Sequence, residues 1–222
     1  MTLERAKEDF KYLINRGYKK DVALNFVANH YKLSREDRLR IVRTTHSDEE
    51  VKLTKKKLRK LKDLKGKTLY IDGFNVLIGL EALIKGNEVV LCDDNIYRDF
   101  ENVYGKYKLN DFTDTAIYLL LTILKYSNIT PCIYLDSQVS KSGILAKKIR
   151  EGMKDLNIKG EVFCVKNCDF ELKNKESVAT SDSIIIKSKG VKYVVDLIGE
   201  AKIFLMKNQQ LLSPKSVKIN DI

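Results

Sequence analysis

The chain has 222 residues, 44% of them hydrophobic, which is enough to bury one good core or a core with a small satellite domain. With two prolines and 11 glycines, the composition is neither that of a disordered chain nor that of a fibrous one. No apolar run approaches ~20 residues, so no membrane-spanning helix is predicted.

The net charge of +11 is concentrated in the N-terminal third of the chain. Residues 1–67 hold 20 Lys and Arg against 10 Asp and Glu, whereas residues 68–222 hold 21 against 20. We therefore predict two domains: a basic helical domain over 1–67, which includes a linker helix, and a nearly neutral domain over 68–222. The N-terminus enters a charged helical pattern at once, without the apolar stretch of a signal peptide, so we expect a cytoplasmic location.

Four helices are predicted for the basic domain. Apolar residues recur at helical spacing over about 3–14 and 20–31. Ser34, with an acid three residues later, resembles a capping box that opens a third helix. A fourth helix begins after Ser47 and is expected to run to about Leu64.

The end of this domain, residues 51–67, carries nine Lys or Arg residues and a single Asp. It is either a solvated helix that connects the two domains or a surface that meets a polyanion. Clustered basic side chains bind phosphates because they displace the counterions of the nucleic acid. The candidate contacts to a nucleic-acid backbone are Lys55, Lys56, Lys57, Arg59 and Lys60.

From residue 68 onward, β-rich runs alternate with helical patterns. Such alternation predicts an α/β domain with a mostly parallel central sheet that is covered by helices on both faces. The predicted strands are 68–71, 89–92, 132–135, 162–165 and 192–195. Helical patterns lie between them, over about 74–86, 112–126, 143–156 and 183–189.

Carboxylates follow several of these strands, at the end of the sheet where ligands bind in open α/β folds. Asp72, Asp136 and Asp196 each come directly after a predicted strand, and Asp182 stands at the start of a helix. Singly, Asp72 and Asp182 could be helix N-caps, and Asp136 and Asp196 could be turn residues. Together, such acids would raise one another's pKa and require a cation, and carboxylate oxygens favour Mg²⁺ or Mn²⁺.

Other residues could support this site. Asn75 could orient a water molecule or touch a phosphate, or simply occupy the first turn of a helix. Ser140 and Ser142 precede a helix, where backbone N–H groups could hold a phosphate or a serine could act as an N-cap. Both histidines lie in the basic domain, which argues against a Ser-His-Asp mechanism. Further acids that could take part are Asp93, Asp94, Asp111, Asp114, Asp169 and Glu171.

Two motifs frame the second domain. One is Asp72-Gly73-Phe74-Asn75 after a strand, and the other is Asp182 at a helix start followed by Asp196 at a strand end. They resemble the opening D-G-x-N motif and the closing pair of acids in PIN-type nuclease domains of the NYN and YacP-like branch, and Asp136 matches the central acid. This resemblance covers about residues 68–205. It implies a PIN-like three-layer fold in which these acids hold Mg²⁺ or Mn²⁺ and activate water.

The whole chain also resembles a prokaryotic family of unknown activity that joins a helical "domain of unknown function four-three-four" to a PIN-like half. The matching segments are Asp9-Phe10, Arg16-Gly17-Tyr18, Tyr134-Leu135-Asp136 and Ser140-Lys141-Ser142-Gly143.

The leading hypothesis is a Mg²⁺- or Mn²⁺-dependent nuclease, with RNA favoured as the substrate and the basic helices binding the phosphate backbone. One alternative is a non-catalytic RNA- or ribosome-binding protein on a PIN-like scaffold. Another is an interaction module whose basic helices dock on an acidic partner. The sequence leaves the oligomeric state open.

Overall fold

A computed structural model describes residues 2–101 and 107–208. The N-terminal unit consists of four helices: α1 (Thr2–Asn15), α2 (Lys20–His30), α3 (Arg35–Thr44) and α4 (Asp48–Lys57). The apolar sides of the first three helices bury a small separate core formed by Ala6, Phe10, Ile14, Ala23, Val27 and Ile41. The N-cap predicted at Ser34 is confirmed, because its hydroxyl accepts a hydrogen bond from the Asp37 N–H at 3.0 Å, but the reciprocal bond of a capping box is not formed there.

The predicted extent of the fourth helix is wrong. It ends at Lys57 rather than near Leu64, because the chain turns there to pair with the sheet of the second unit. Leu58 forms a parallel bridge with Val194, and the Arg59 N–H donates a 2.8 Å hydrogen bond to the Val194 carbonyl. A short 3-10 helix, Leu61–Leu64, then places two leucines in the core of the second unit.

The second unit confirms the predicted α/β class. Five strands form one parallel sheet in the order β5-β4-β1-β6-β7. The strands are β1 (Thr68–Asp72), β4 (Thr130–Asp136), β5 (Glu161–Val165), β6 (Ser177–Ala179) and β7 (Tyr193–Val195). The helices are α5 (Gly73–Lys85), α6 (Thr113–Tyr126), α7 (Ser142–Asp155), α8 (Cys168–Lys173), α9 (Ser183–Ile186) and α10 (Leu197–Lys207). The predicted domain also contains residues 102–106 and 209–222, which lie outside the described part of the chain.

The strand predicted at 89–92 exists but does not belong to this sheet. It is β2 (Val89–Leu91), which pairs in antiparallel fashion with β3 (Tyr97–Asp99) in a separate two-stranded sheet. The sequence pattern does not predict β3, β6, α8 or α10. The strands β3 (Tyr-Arg-Asp) and β6 (Ser-Val-Ala) have only three residues each and lack the apolar β-rich run that marks the equally short β2 (Val-Val-Leu) and β7 (Tyr-Val-Val).

The two faces of the main sheet are covered unequally. One face packs against the long helices α5, α6, α7 and α10 in the larger core. The other, which we call the short-helix face, carries Tyr70, Tyr134, Val178 and Val194 and is covered chiefly by α8 and α9. Because side chains alternate along a strand, the acids that end β1 and β4 share this second face with Tyr70 and Tyr134. No helix among the described residues is long and apolar enough to cross a membrane.

Candidate active site at the carboxyl edge of the sheet

The four predicted acids all lie at the carboxyl edge of the main sheet. Asp72 is the last residue of β1, and Asp136 is the last residue of β4. Asp182 and Asp196 immediately precede α9 and α10, so each stands where the chain leaves the sheet to begin a helix. Parallel strands bring these positions together although up to 124 residues separate them in the sequence.

Asp72 is the most buried of the site acids, with 8% of its surface exposed. Although it precedes α5, its side chain makes no capping hydrogen bond to that helix. Its Oδ2 instead accepts a 2.9 Å hydrogen bond from the Thr180 hydroxyl. Burial is the main cause that raises the pKa of Asp72 to about 7; the nearby carboxylates of Asp182 and Asp169 contribute to this rise, and the Thr180 hydrogen bond opposes it.

Asp136 and Asp182 also make the local contacts expected of turn and cap residues. Asp182 Oδ1 accepts the Ile184 N–H at 2.7 Å at the start of α9. Asp136 Oδ1 accepts the Gln138 N–H at 2.8 Å in the turn after β4. These bonds fix the orientation of each carboxylate, and in the described ranges the second oxygen of each has no hydrogen-bond donor.

Asp169, on α8, joins this group. Burial raises the pKa of its carboxyl group, and so do the charges of Asp182 and Asp136. From the sequence, Asp169 is only one of several further acids that could take part. No pattern distinguishes it, because the helix α8 that carries it is not predicted. We call the four residues Asp72, Asp136, Asp169 and Asp182 the acidic edge.

The four carboxylates of the acidic edge have no basic partner among the described residues, unlike the candidate acids Asp94 and Asp114. Across residues 2–101 and 107–208, no Lys, Arg or His nitrogen forms an ion pair with a carboxylate oxygen of these four residues. Asp94, by contrast, is 2.7 Å from Arg98, and Asp114 is 2.8 Å from Lys148. Because no ion pair offsets it, the charge of Asp182 and Asp169 adds to burial in raising the pKa of Asp72.

The donor set of the acidic edge fits Mg²⁺ or Mn²⁺. It offers carboxylate oxygens and the Thr180 hydroxyl, and these hard cations prefer oxygen ligands together with several waters. The carboxylates are not drawn into one tight group. Within the described residues, the only three-residue group whose ligand atoms all lie within 4.8 Å of one another is His46–Asp93–Asp94.

Asp196 is held differently from the acidic edge. Both of its oxygens accept backbone hydrogen bonds at 2.9 Å, Oδ1 from the Gly199 N–H and Oδ2 from the Tyr97 N–H. Burial raises the pKa of Asp196 to about 6, while these bonds and the charge of Arg98 oppose the rise. Asp196 thus fastens β3 to the start of α10 at the border of the site.

Asn75 and Arg98 hold the loop that carries Thr180 and Asp182. Asn75 Oδ1 accepts the Ser181 N–H at 2.8 Å and the Ser181 hydroxyl at 3.1 Å. Arg98 Nε donates to the Ser181 carbonyl at 3.1 Å, and its two terminal nitrogens each donate to Asp94 at 2.7 Å. The sequence does not predict this role for Arg98, because 83 residues separate it from Ser181 and no local pattern marks the pairing.

His46–Asp93–Asp94 lies between the helical unit and the second unit. His46 Nδ1 is 2.9 Å from Asp93 Oδ1, and Lys11 Nζ is 3.4 Å from Asp93 Oδ2. Arg98 neutralises Asp94 from the other side. The two carboxylates already have cationic partners, so this cluster joins the two units by charge.

Three of the five residues predicted to contact phosphates are exposed to solvent, and the other two are half-buried. Lys55, Lys56 and Lys60 are exposed. Lys57 instead donates hydrogen bonds to the carbonyls of Ile186 at 2.7 Å and Ser188 at 2.9 Å, at the end of α9. Arg59 lies over the Tyr193 ring, with 5.1 Å between Cζ and the ring centroid.

The predicted Ser-Lys-Ser-Gly turn lies before α7. Lys141, not a serine, occupies the N-cap position, with a positive φ of 64° and no capping side-chain bond. Ser140 is exposed, whereas Ser142 is buried in the first turn of the helix. The turn therefore has no serine cap, and the Ser142 and Ile144 N–H groups already donate to the carbonyls of Val139 and Lys141.

Comparison with known proteins places the chain in a family. Residues 61–200 match the model of a domain of unknown function, DUF5616, and residues 2–57 match a protein family of unknown function, DUF434. The chain is 79% identical over 207 residues to a protein of Methanocaldococcus jannaschii described as uncharacterized, an alignment that covers 93% of this chain and 100% of the relative. No solved structure matches the chain. The chain belongs to the DUF5616 family, and it carries the DUF434 helical region in front of that domain.

Proposed function

We propose that this protein is a divalent-metal-dependent nuclease that hydrolyses phosphodiester bonds of RNA on a PIN-like domain. The observation that carries the proposal is the acidic edge: carboxylates gathered on one face of the sheet at its carboxyl edge, without basic partners among the described residues, one of them with a pKa of about 7. Structural acids are normally paired, as Asp94 and Asp114 are. Unpaired acids with raised pKa values are typical of functional sites.

The chemistry follows from these groups. Bound Mg²⁺ or Mn²⁺ would be held by Asp72, Asp136 and Asp182, with Asp169 beside them, and would neutralise the charge of the phosphate. A carboxylate of the acidic edge accepts a proton from water as the water oxygen bonds to phosphorus. The bond from phosphorus to the leaving ribose oxygen breaks, and that oxygen takes up a proton. Asn75 and Thr180 keep the loop and the Asp72 carboxylate in position.

The basic segment supplies the expected contact to the RNA backbone. Lys55, Lys56 and Lys60 are exposed and can meet phosphates without breaking an internal bond. Lys57 and Arg59 serve the packing of the two units instead. We further propose a cytoplasmic location, in keeping with the free thiols of Cys92, Cys132, Cys164 and Cys168.

The test is cleavage of a labelled single-stranded RNA by the full chain with Mn²⁺ and with EDTA. Cleavage is expected with Mn²⁺ only, and Asp72→Asn should abolish it. Asp114→Asn is the matched control, because it removes an exposed acid that pairs with Lys148 and lies outside the acidic edge. If the wild type and Asp72→Asn are equally inert across RNA substrates and both metals, the nuclease proposal is wrong.

A second candidate is a non-catalytic RNA- or ribosome-binding protein on the same scaffold. It is favoured by the spacing of the acidic edge, since no three of its carboxylates lie within 4.8 Å of one another among the described residues. It predicts salt-sensitive RNA binding that survives Asp72→Asn, with no cleavage. Failure to retain RNA at about 0.15 M salt would favour the third alternative, docking of an acidic protein partner.

A further inference from the structure

The short-helix face carries a row of aromatic rings that the proposed chemistry does not use. Tyr70, Tyr134 and Phe163 lie on the adjacent strands β1, β4 and β5. The Tyr134 and Phe163 rings are stacked, with centroids 5.5 Å apart and planes inclined by 29°. The Tyr70 ring follows at 6.4 Å from Tyr134, inclined by 32°. The row therefore runs across the sheet to its outer strand.

Phe163 is the exposed end of this row. It is 39% exposed, whereas Tyr134 beneath it is only 6% exposed. β5 is the edge strand of the described sheet, so no further strand covers the ring there. Phe170, on the helix that follows β5, is 65% exposed as well. A ring that stacks on the protein with one side and meets solvent with the other can receive a further planar group.

A lysine accompanies the rings. Lys175 Nζ lies 5.0 Å from the centroid of Tyr70 and 5.8 Å from that of Tyr134. Within the described residues, no carboxylate forms an ion pair with this ammonium group, which lies against two aromatic rings instead. A planar aromatic surface beside such an ammonium group is complementary to a nucleotide, which offers a flat base and an anionic phosphate.

Strand register connects the rings to the acidic edge. Asp72 is paired with Tyr134 on the neighbouring strand, and Tyr134 is paired with Phe163 on the next one. Paired residues of parallel strands lie at the same level, and their side chains point to the same face. With neighbouring strands ~4.8 Å apart, the backbone of Phe163 is about 10 Å from that of Asp72. A nucleotide whose base rests on Phe163 therefore brings a neighbouring phosphate to the acidic edge.

We propose that Phe163, backed by Tyr134 and accompanied by Lys175, is a stacking site for an unpaired base of single-stranded RNA. The inference rests on the proposed function, and it adds a binding surface outside the acids. In a duplex, both faces of each base are covered by its neighbours, so the exposed Phe163 ring selects unpaired bases. Lys175 contributes a phosphate contact that does not depend on sequence.

The test measures binding without cleavage. Affinity for a short fluorescein-labelled oligouridylate is measured by anisotropy in EDTA, on the full chain. Phe163→Ala should weaken binding by about 5- to 100-fold, the usual effect of removing one stacked base, whereas Phe163→Trp should retain it. Tyr118→Ala is the matched control, because Tyr118 is 62% exposed on α6, which covers the opposite face of the sheet. It should bind like the wild type.

Two further measurements separate stacking from a general loss of affinity. The affinity for a blunt RNA duplex should be the same for Phe163→Ala and the wild type. Lys175→Gln should reduce the slope of log affinity against log salt concentration for the oligouridylate by about 0.7. The stacking site is refuted if Phe163→Ala binds the oligouridylate as tightly as the wild type, or if it loses affinity for both RNAs equally while its unfolding midpoint is unchanged.

The two proposals fail separately. If no RNA is cleaved with either metal but binding depends on Phe163, the nuclease is refuted and the stacking site stands. If cleavage depends on Asp72 but binding is indifferent to Phe163, the nuclease stands and the stacking site is refuted.

Discussion

The Thr180 hydroxyl donates a 2.9 Å hydrogen bond to the Asp72 carboxylate, the one hydrogen bond that a described side chain gives to the most buried acid of the site. It does not offset burial, which raises the pKa of Asp72 from 3.8 to about 7. In the folded protein the Asp72 carboxyl group therefore releases its proton only near pH 7. In the unfolded chain it would do so near pH 4, about the ordinary pKa of an aspartate.

This shift makes stability depend on pH. A folded pKa above the unfolded one contributes stability that is fully present below about pH 4 and is lost as the pH rises through about 7. We expect Asp72→Asn to raise the free energy of unfolding at pH 8 by a few kcal/mol, since each unit of pKa corresponds to ~1.4 kcal/mol. Urea unfolding between about pH 4 and pH 8 measures it. A difference between variant and wild type that does not change with pH would contradict the shift.

The affinity for a metal ion should also depend on whether the Asp72 carboxyl group is protonated. Because carboxylate ligands bind a cation only when ionised, Mn²⁺ affinity should rise with pH and level off above about pH 7. Calorimetric titration of the full chain with Mn²⁺ at pH 6 and pH 8 gives the comparison, with Asp114→Asn as the control. Binding that is equally tight at both pH values, or in Asp72→Asn, would place the ion elsewhere.

Arg98 should matter for stability more than its distance from the chemistry suggests. Its guanidinium group is buried and holds both Asp94 and the Ser181 carbonyl. Arg98→Met leaves Asp94 as a buried charge with a weakened set of partners, a change that typically costs ~3–5 kcal/mol. Thermal or urea unfolding measures this cost, and adding Asp94→Asn should recover part of it. An Arg98→Met protein as stable as the wild type would mean that the loop does not need this anchor.

Lysines that are neighbours in the sequence should differ in their effect: Lys57 on stability, and Lys55 and Lys56 on RNA binding. Lys57→Met removes hydrogen bonds from an ammonium group to two carbonyls, so it should lower the free energy of unfolding by about 1.5–3 kcal/mol. The double variant Lys55→Gln, Lys56→Gln should leave the free energy of unfolding nearly unchanged. It should reduce the slope of log RNA affinity against log salt concentration by up to about 1.4, because each lysine that no longer contacts a phosphate removes ~0.7. A loss of stability in the double variant, or no change in its salt slope, would contradict the assignment.

Gly73 leaves no room for a side chain directly after Asp72. A Cβ at this position would lie 2.6 Å from Leu135 Cδ2 and 2.8 Å from the Tyr134 carbonyl oxygen. Gly73→Ala should therefore cost about 1–3 kcal/mol of stability and displace the adjacent carboxylate. Gly143→Ala is the control, because nothing lies within 4 Å of a Cβ there. Equal unfolding midpoints for the two variants would show that β4 moves to make room for the added methyl group without a loss of stability.

The α/β class and the position of each acid along the chain can be predicted from the sequence alone. Asp72 and Asp136 follow apolar β-rich runs, and such local patterns mark where a strand ends whatever the rest of the fold does. The N-cap at Ser34 is equally predictable, because its capping bond spans only three residues. The segment at 89–92 is correctly predicted as a strand, but period-two alternation does not specify the strand's partner.

Which charges meet, and which acids stay unpaired, depends on the folded chain. Asp94 and Asp182 look alike in the sequence, yet a distant part of the fold gives Arg98 to the first and none of the described residues gives a basic partner to the second. Likewise, Lys57 and Lys56 are indistinguishable in a run of lysines, yet only Lys57 is half-buried and donates hydrogen bonds to carbonyls at the end of α9. Pairing energies act through space between residues far apart in the chain, so no local pattern encodes them.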